Sequence, residues 1–375
     1  MNNGTLLVTG GAGFIGSFIV DRFIGHGREV RILDSLEPQV HPAGPPDYLN
    51  PKAEFVQADI RDRAAVKRAL EGVDVVVHCA AAVGVAQSLY QVEHYVDVNV
   101  RGLSTLLDVL IELRHPLRKL VVLTSMTEYG EGLYRRLSDG AFVRVDARAQ
   151  VDIELHGWEP VCPTTGEIIE PAATPENAAL LARNTYALTK RYQEELALNV
   201  GHLYDIPTVC LRMFNVYGPR QSLANPYTGV LAIFLSRILA RKVPVLYEDG
   251  QQTRDFISVH DVVSAVERAI DSSRADGQVV NLGSGTPRRI VDCAIELDHL
   301  CGGDGSGIFA SGQFRKGDIR HCYADMTKAR ELLNFSPTVS WERGLAELLQ
   351  WSTTAATSDH FDRAELELRA HGLVT

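Results

Sequence analysis

The six cysteines of this 375-residue chain, Cys79, Cys162, Cys210, Cys293, Cys301 and Cys322, are scattered and form no CxxC. A disulfide framework or a zinc site would need clustered thiols, so free thiols in a reducing compartment and no bound metal are expected. Long apolar runs are missing too. The longest uncharged stretch, roughly Val75 to Tyr90, contains His78, Gly84, Gln87 and Ser88. It falls short of the ~18 apolar residues that a spanning helix requires. No charged leader with an apolar core precedes the first strand-like run at Thr5, which predicts no signal peptide and a cytoplasmic location. Positive charge is scarce: the formal net charge is -10 with acids and bases interspersed. That excludes the basic footprint of a nucleic-acid binder but leaves room for a local phosphate pocket. Repeats and low-complexity tracts are also lacking.

What the chain does have is alternation. Short β-branched runs stand at 6–10, 29–34, 54–59, 74–80, 119–125 and 208–214, with another at 278–285. Most are apolar on both faces, as strands buried between helix layers must be. Helix-period segments separate them, such as Phe14 to Ile24 with Ile15, Phe18, Ile19 and Phe23 on one stripe. This pattern predicts an α/β fold, a doubly wound parallel sheet. Residues 1–214 with 258–285 would form it. Residues 215–257 and 286–375 have a different texture and predict a smaller, mostly helical lobe, with a short strand near PVLYEDG.

The run TGGAGFIG, Thr9 to Gly16, lies between the first strand and the first helix. Gly10, Gly13 and Gly16 allow a tight turn, close approach of a pyrophosphate, and tight helix-strand packing. Phe14, Ile15 and Gly16 open the helix whose free N–H groups would face the anion. Asp34 ends the second strand, where an acid can hold a ribose hydroxyl or merely cap a turn. The residues after it, Ser35-Leu36-Glu37, offer no cation for a 2′-phosphate. NAD is therefore expected rather than NADP. Asp59, with Ile60 beside it, is placed to meet the adenine, and Ala80, Ala81 and Ala82 leave space for the pyrophosphate.

Tyr186 and Lys190 stand four apart, on one face of a helix. A phenol with its ordinary pKa near ~10 becomes a base at neutral pH only when a nearby cation stabilises the phenolate, a charge Lys190 can supply. Such a pair alone reads more readily as an ordinary helix edge. Its context is KLVVLTSMTEYG, where Ser125 ends a buried strand at the carboxyl end, the place where open α/β sheets bind ligands.

TGGAGFIG, TSMTEYG, YALTK, RMFNVYGPR, RDFISVHDV and GDIRH, in this order, resemble the extended short-chain dehydrogenase/reductases of the NAD-dependent epimerase/dehydratase family, over roughly residues 5 to 345. The resemblance implies catalytic roles for Ser125, Tyr186 and Lys190, with Tyr186 and Lys190 also against the cofactor. It implies that Asn99 lies near the nicotinamide. Asn215, Arg254 and Arg320 would meet a sugar-nucleotide diphosphate, and Ser125, Met126 and Thr127 would line the sugar site. Within the family, 4,6-dehydratases carry Asp-Glu where this chain has Met126 and Thr127, which argues against dehydration. The remaining motifs look nearest to the nucleotide-sugar 4-epimerases, in particular the branch acting on dTDP-L-rhamnose and related 6-deoxyhexoses. A UDP-glucose/galactose-type 4-epimerase, a 4-ketoreductase and a non-catalytic NAD-sensing regulator are the alternatives. A homodimer through helices near 91–113 and 184–200 is implied as well. An insert at about 131–180, longer than in plain UDP-galactose 4-epimerases, reads either as a flap shaping the sugar or base pocket or as a packing excursion.

Overall fold

The computed structural model describes residues 4–355 and 359–374. Five strands come first: β1 (Thr5–Thr9), β2 (Val30–Asp34), β3 (Glu54–Gln57), β4 (Val73–His78) and β5 (Lys119–Ser125). The insert holds β6 (Leu133–Arg136), β7 (Phe142–Arg144) and β8 (Ile169–Ala172). After them come β9 (Thr208–Met213), β10 (Asn215–Tyr217), β11 (Thr253–Ser258), β12 (Gln278–Leu282), β13 (Pro287–Arg289) and β14 (His321–Cys322).

Seven strands form one all-parallel sheet in the order β12-β9-β5-β4-β1-β2-β3. They are the seven runs expected from the sequence. Every residue of β5 and β9 is buried, as a central strand covered on both faces requires. One apolar layer sets Ile19, Val20 and Phe23 of the helix Phe14–Gly25 and Val262, Val263 and Val266 of the helix Val259–Asp271 against the sheet. The opposite layer uses Leu103, Leu106, Leu107 and Leu110 of the helix Gly102–Leu113.

The strand order reverses direction between β1 and β4, where Thr9 lies opposite both Leu33 and His78. Chain leaving such a switch point diverges to the two sides, and the crevice left between is where open α/β sheets hold their ligands.

The smaller lobe contains more strand than the sequence suggested. β10, β11, β13 and β14 form a four-stranded sheet around β11. Its members are two to six residues long, too short for a periodicity signal. The strand expected near PVLYEDG is only an isolated bridge from Leu246 to Ala310. Positive φ at Glu248 and Gly250 turns the chain there before a ladder can extend. Phe234, Leu235, Leu297, Trp341, Leu345 and Leu348 make this lobe's core. The helix Thr327–Leu333 instead packs Ala329 and Leu333 into the apolar layer of the large sheet.

The helix Phe361–Ala370 runs back across the molecule. Its Leu368, with Val374, meets Ala86 after β4 and Tyr247 of the small lobe. Glu367 accepts hydrogen bonds from Tyr90 (2.9 Å) and Tyr227 (2.8 Å), tying the two lobes together.

Candidate active site

The turn after β1 is shaped by its glycines. Gly10 sits at φ +70, and a Cβ there would lie 2.8 Å from the backbone nitrogen of Ala80. A Cβ on Gly16 would come within 2.2 Å of the Gly10 carbonyl oxygen. Only hydrogen fits at either place, so the loop between β1 and the helix Phe14–Gly25 is pressed against the chain leaving β4. Asp34 closes the far side: its carboxylate accepts from the Ala12 N–H (3.0 Å) and the Leu36 N–H (2.9 Å). Each oxygen keeps a lone pair for an outside donor, as a ribose site requires. Asn99 is fully buried in a π-helical turn, Val96–Arg101, and grips the chain after β4. Its amide accepts from the Ala82 N–H (2.7 Å) and donates to the Ala82 carbonyl (3.1 Å) and to Thr189 (2.9 Å).

Ser125, Tyr186 and Lys190 are brought together at the carboxyl end of β5. The helix Thr185–Leu203 starts on an Asn184 cap, whose side chain accepts from the Ala187 N–H (2.8 Å). Ser88 accepts from the Tyr186 N–H (3.0 Å), which fixes the first turn. Ser125 accepts at its hydroxyl oxygen from the Thr127 hydroxyl (3.0 Å) and N–H (3.3 Å). Its own proton is thereby left for Tyr186, whose ionised form it favours.

Burial pushes the Tyr186 phenol up to about 12, while the Ser125 hydrogen bond pulls the other way and the nearby Glu128 carboxyl adds to the rise. Burial draws the Lys190 ammonium down to about 8, opposed by Glu128. Lys190 donates to the Leu123 carbonyl (2.9 Å), so it is fastened to β5. Such an array holds an alcohol proton acceptor, a hydroxyl relay and a cation in one desolvated place, the parts of general-base catalysis on a carbinol.

Other residues expected at the site lie elsewhere or are already engaged. Met126 packs into the core beneath the sheet and is buried, so of the pair Met126 and Thr127 only Thr127 faces the serine. Asp59 is paired with Arg61, whose Nε and N–H both reach one carboxylate oxygen at 2.8 Å. Ile60 is buried against Gly102. Asn215 carries a buried side-chain oxygen with no hydrogen-bond partner, which suits a ligand group. Arg254 has its guanidinium on the carbonyls of Thr253 (2.9 Å) and Arg320 (3.1 Å), 3.7 Å from Asp318.

Arg320 is a correction. Its side chain is fully buried and surrounded by carboxylates: Glu248 (2.8 Å), Asp249 (2.6 Å) and Glu159. No donor is left to face a diphosphate. Arg315 was overlooked, although it stands only two residues before GDIRH; it joins Arg254 on Asp318, with Nη2 3.0 Å from that carboxylate.

The insert is ordered. β7-β6-β8 form an antiparallel sheet, and Arg144 ties it down through the carbonyls of Gly132 (2.6 Å), Tyr129 (2.7 Å) and Ala179 (2.8 Å). Arg148 pairs with Glu248 (2.8 Å), so two insert residues, Arg148 and Glu159, enter the charge network around Arg320. The Thr253 N–H donates to His321 Nδ1 (3.2 Å), which makes that nitrogen an acceptor and leaves the Nε2 proton for Glu159 (2.9 Å). Among the described residues no group of three or more His, Cys, Asp or Glu is arranged to hold a metal ion, and no helix is long and apolar enough to cross a membrane.

Comparison with known proteins places this arrangement. A dTDP-L-rhamnose 4-epimerase of Burkholderia thailandensis is 33% identical over 353 residues, 92% of this chain and 94% of that protein. The solved UDP-glucose 4-epimerase of Thermotoga maritima, with UDP-glucose, superposes at a TM-score of 0.76 with 29% identity, over 93% of this chain and 99% of that one. A mutant UDP-glucuronic acid 4-epimerase of Bacillus cereus, solved with UDP-4-deoxy-4-fluoro-glucuronic acid and NAD, gives 0.73 and 25% over 93% and 99%. Residues 6–141 and 161–283 match one family, and the interruption falls within the insert, on the stretch that carries Arg148 and Glu159. Both halves of the large sheet lie inside that match, so the chain is an enzyme of the NAD dependent epimerase/dehydratase family.

Proposed function

We propose that this protein is a nucleotide-sugar 4-epimerase that inverts C4 of an NDP-hexose, best fitted by a dTDP-6-deoxyhexose such as dTDP-L-rhamnose. The observation that carries the reading is the Ser125 hydroxyl, oriented by Thr127 at the carboxyl end of β5 with the buried Tyr186 phenol beside it. Tyr186 takes the proton from the sugar O4, and Ser125 orients that hydroxyl and relays the proton. Bound NAD supplies a reversible hydride acceptor for C4. The 4-keto sugar swings about its diphosphate link and is reduced on its other face, so no net redox occurs.

The glycine turn and Asp34 fit NAD by shape and charge. Gly16→Ala should weaken NAD binding by on the order of tenfold or more, because the loop must shift to admit the methyl group. Calorimetric titration of the cofactor measures it, and unchanged affinity would contradict the cradle. In this reading residues 1–214 and 258–285 hold the dinucleotide. Residues 215–257 and 286–375 grip the nucleotide sugar, with Asn215 and Arg254 at the diphosphate. Dehydration is disfavoured, since Met126 is a core residue.

The Burkholderia relative supports a dTDP sugar and the Thermotoga structure a UDP sugar. Incubating the protein with dTDP-L-rhamnose and with UDP-glucose, without added NADH, separates the two. A C4 epimer of the first supports the preferred reading, and one of the second alone supports the other. No epimer from either, with turnover only of an NDP-4-keto-hexose at the expense of added NADH, would overturn both in favour of a ketoreductase.

A homodimer through helices Val92–Tyr95, Gly102–Leu113 and Thr185–Leu203 belongs to this reading. Val92, Leu113, Leu188 and Tyr192 are exposed apolar side chains along them. Leu188→Glu with Tyr192→Glu should convert a dimer to a monomer in light scattering, and a monomeric unaltered protein would refute the pairing.

A further inference from the structure

Glu128 lies directly behind the serine and has no assigned part in the chemistry. It is completely buried on the single turn Met126–Tyr129. One carboxylate oxygen accepts from the Ser125 N–H (3.1 Å), so Ser125 and Glu128 form a capping box that sets the serine at the strand end. The other oxygen is buried with no hydrogen-bond partner and lies 3.6 Å from the Arg212 Nε.

That guanidinium is already committed. Arg212 binds Glu194 (Nε to carboxylate 2.9 Å), donates to the Tyr129 hydroxyl (2.9 Å) and stacks on the Tyr129 ring (4.8 Å). Two buried carboxyls therefore share one arginine. A second cation, Lys190, stands at the same strand end: it donates to the Leu123 carbonyl (2.9 Å), two residues before the Ser125 N–H that Glu128 holds. The groups facing Glu128 are Ser125 and Tyr129 beside it, Cys210 and Arg212 on β9, and Tyr186, Lys190 and Glu194 on the helix Thr185–Leu203. A negative charge held in a dry interior acts strongly on its titratable neighbours.

We propose that Glu128 is a positioning residue of this site, which holds Ser125 through its backbone and sets, through its charge, the ionisation of both Tyr186 and Lys190. The inference rests on the 4-epimerase reading for its catalytic meaning, while its electrostatic content stands on the cluster itself. An ionised Glu128 opposes the Tyr186 phenolate and favours the Lys190 ammonium, so both groups keep their protons to higher pH. Burial pushes Glu128 itself up to about 8, with Glu194 adding to the rise, so its proton is in play near neutral pH.

Glu128→Gln keeps an acceptor for the Ser125 N–H and removes the charge. In NAD-loaded protein labelled with 13C at the tyrosine ζ carbon, the Tyr186 resonance, assigned with Tyr186→Phe, should titrate about one pH unit lower in the variant. Both limbs of the pH profile of kcat should move down with it. Limbs and resonance that stay in place while kcat falls would reduce Glu128 to a structural prop and overturn the proposal. If the unaltered protein turns over no NDP-hexose, the epimerase reading fails, and the resonance alone decides about Glu128. Should Glu128→Gln fail to fold, Glu128→Met carries the same titration.

Discussion

Tyr186→Phe leaves NAD bound and lowers kcat by about a thousandfold, the range expected when a positioned general base is removed. The substitution deletes one oxygen. The ring keeps its edge-on contact with Tyr95, at 6.4 Å between centroids, and the Ser88 and Asn184 contacts of that helix turn run through backbone nitrogens. Folding and cofactor retention should therefore survive. The loss is chemical, because in this reading the phenol takes the sugar's O4 proton, and Thr127 does no more than orient the Ser125 hydroxyl.

The pH dependence of the unaltered enzyme follows from the same cluster. Burial holds the Tyr186 proton tightly, up to about 12, and the positive charge of a bound nicotinamide ring must lower it. Activity should rise with pH as that proton leaves, and decline once Lys190, drawn down to about 8 by burial, loses its charge. The Phe variant should lose the rising limb. A pH profile of kcat measures both, and a Phe variant with near-normal turnover would remove Tyr186 from the mechanism.

Arg320→Met destabilises the protein by about 3 kcal/mol, the cost of removing a fully buried cation from its charge network. Asp249 loses its guanidinium, Glu248 keeps only Arg148, and Glu159 keeps only His321. A diphosphate ligand at this position would instead have given a raised KM with little change in stability. Urea unfolding and KM together separate the two.

Acid should find the same weak point in the unaltered protein. Burial alone would raise the Glu159 carboxyl, but hydrogen bonds from His321 and Arg320 outweigh it and hold the group down at about 2. A carboxylate depressed in the folded state contributes stability above its unfolded pKa and loses it as pH falls toward the folded value. The contribution should be present at pH 5 and fade between about pH 4.5 and 2. It is discounted by the half-exposed side chain.

How much of this was legible depended on range. The central strands of the large sheet were readable because they bury both faces, so short apolar runs, VVV, LVVL and VCL, stand in β4, β5 and β9. The glycine turn and Asp34 lie at strand ends, where spacing carries the geometry, whereas the Ser125–Tyr186–Lys190 set was read from its context and from the resemblance, since a tyrosine and a lysine four apart mark no site by themselves. Arg320 escaped because its partners are remote in sequence: Glu159, Glu248 and Asp249 meet only when the insert folds across the small lobe. A lone arginine in a loop otherwise reads as exposed. Met126 reads as a cleft residue by its place in the motif, yet the turn Met126–Tyr129 rotates its side chain into the core. Glu128 was half legible, since S-x-x-E is a capping-box pattern; its burial comes from β9 and the helix Thr185–Leu203, which no local pattern reveals.

The most direct measurement follows a deuterium at C4 of the hexose. With dTDP-L-[4-2H]rhamnose and no added NADH, the expected product is the C4 epimer with deuterium retained at C4, because the hydride leaves and returns within one site. Deuterium lost to solvent, or a C4 epimer formed without cleavage of the C4–deuterium bond, would contradict reversible oxidation at C4 driven by Tyr186 and Ser125.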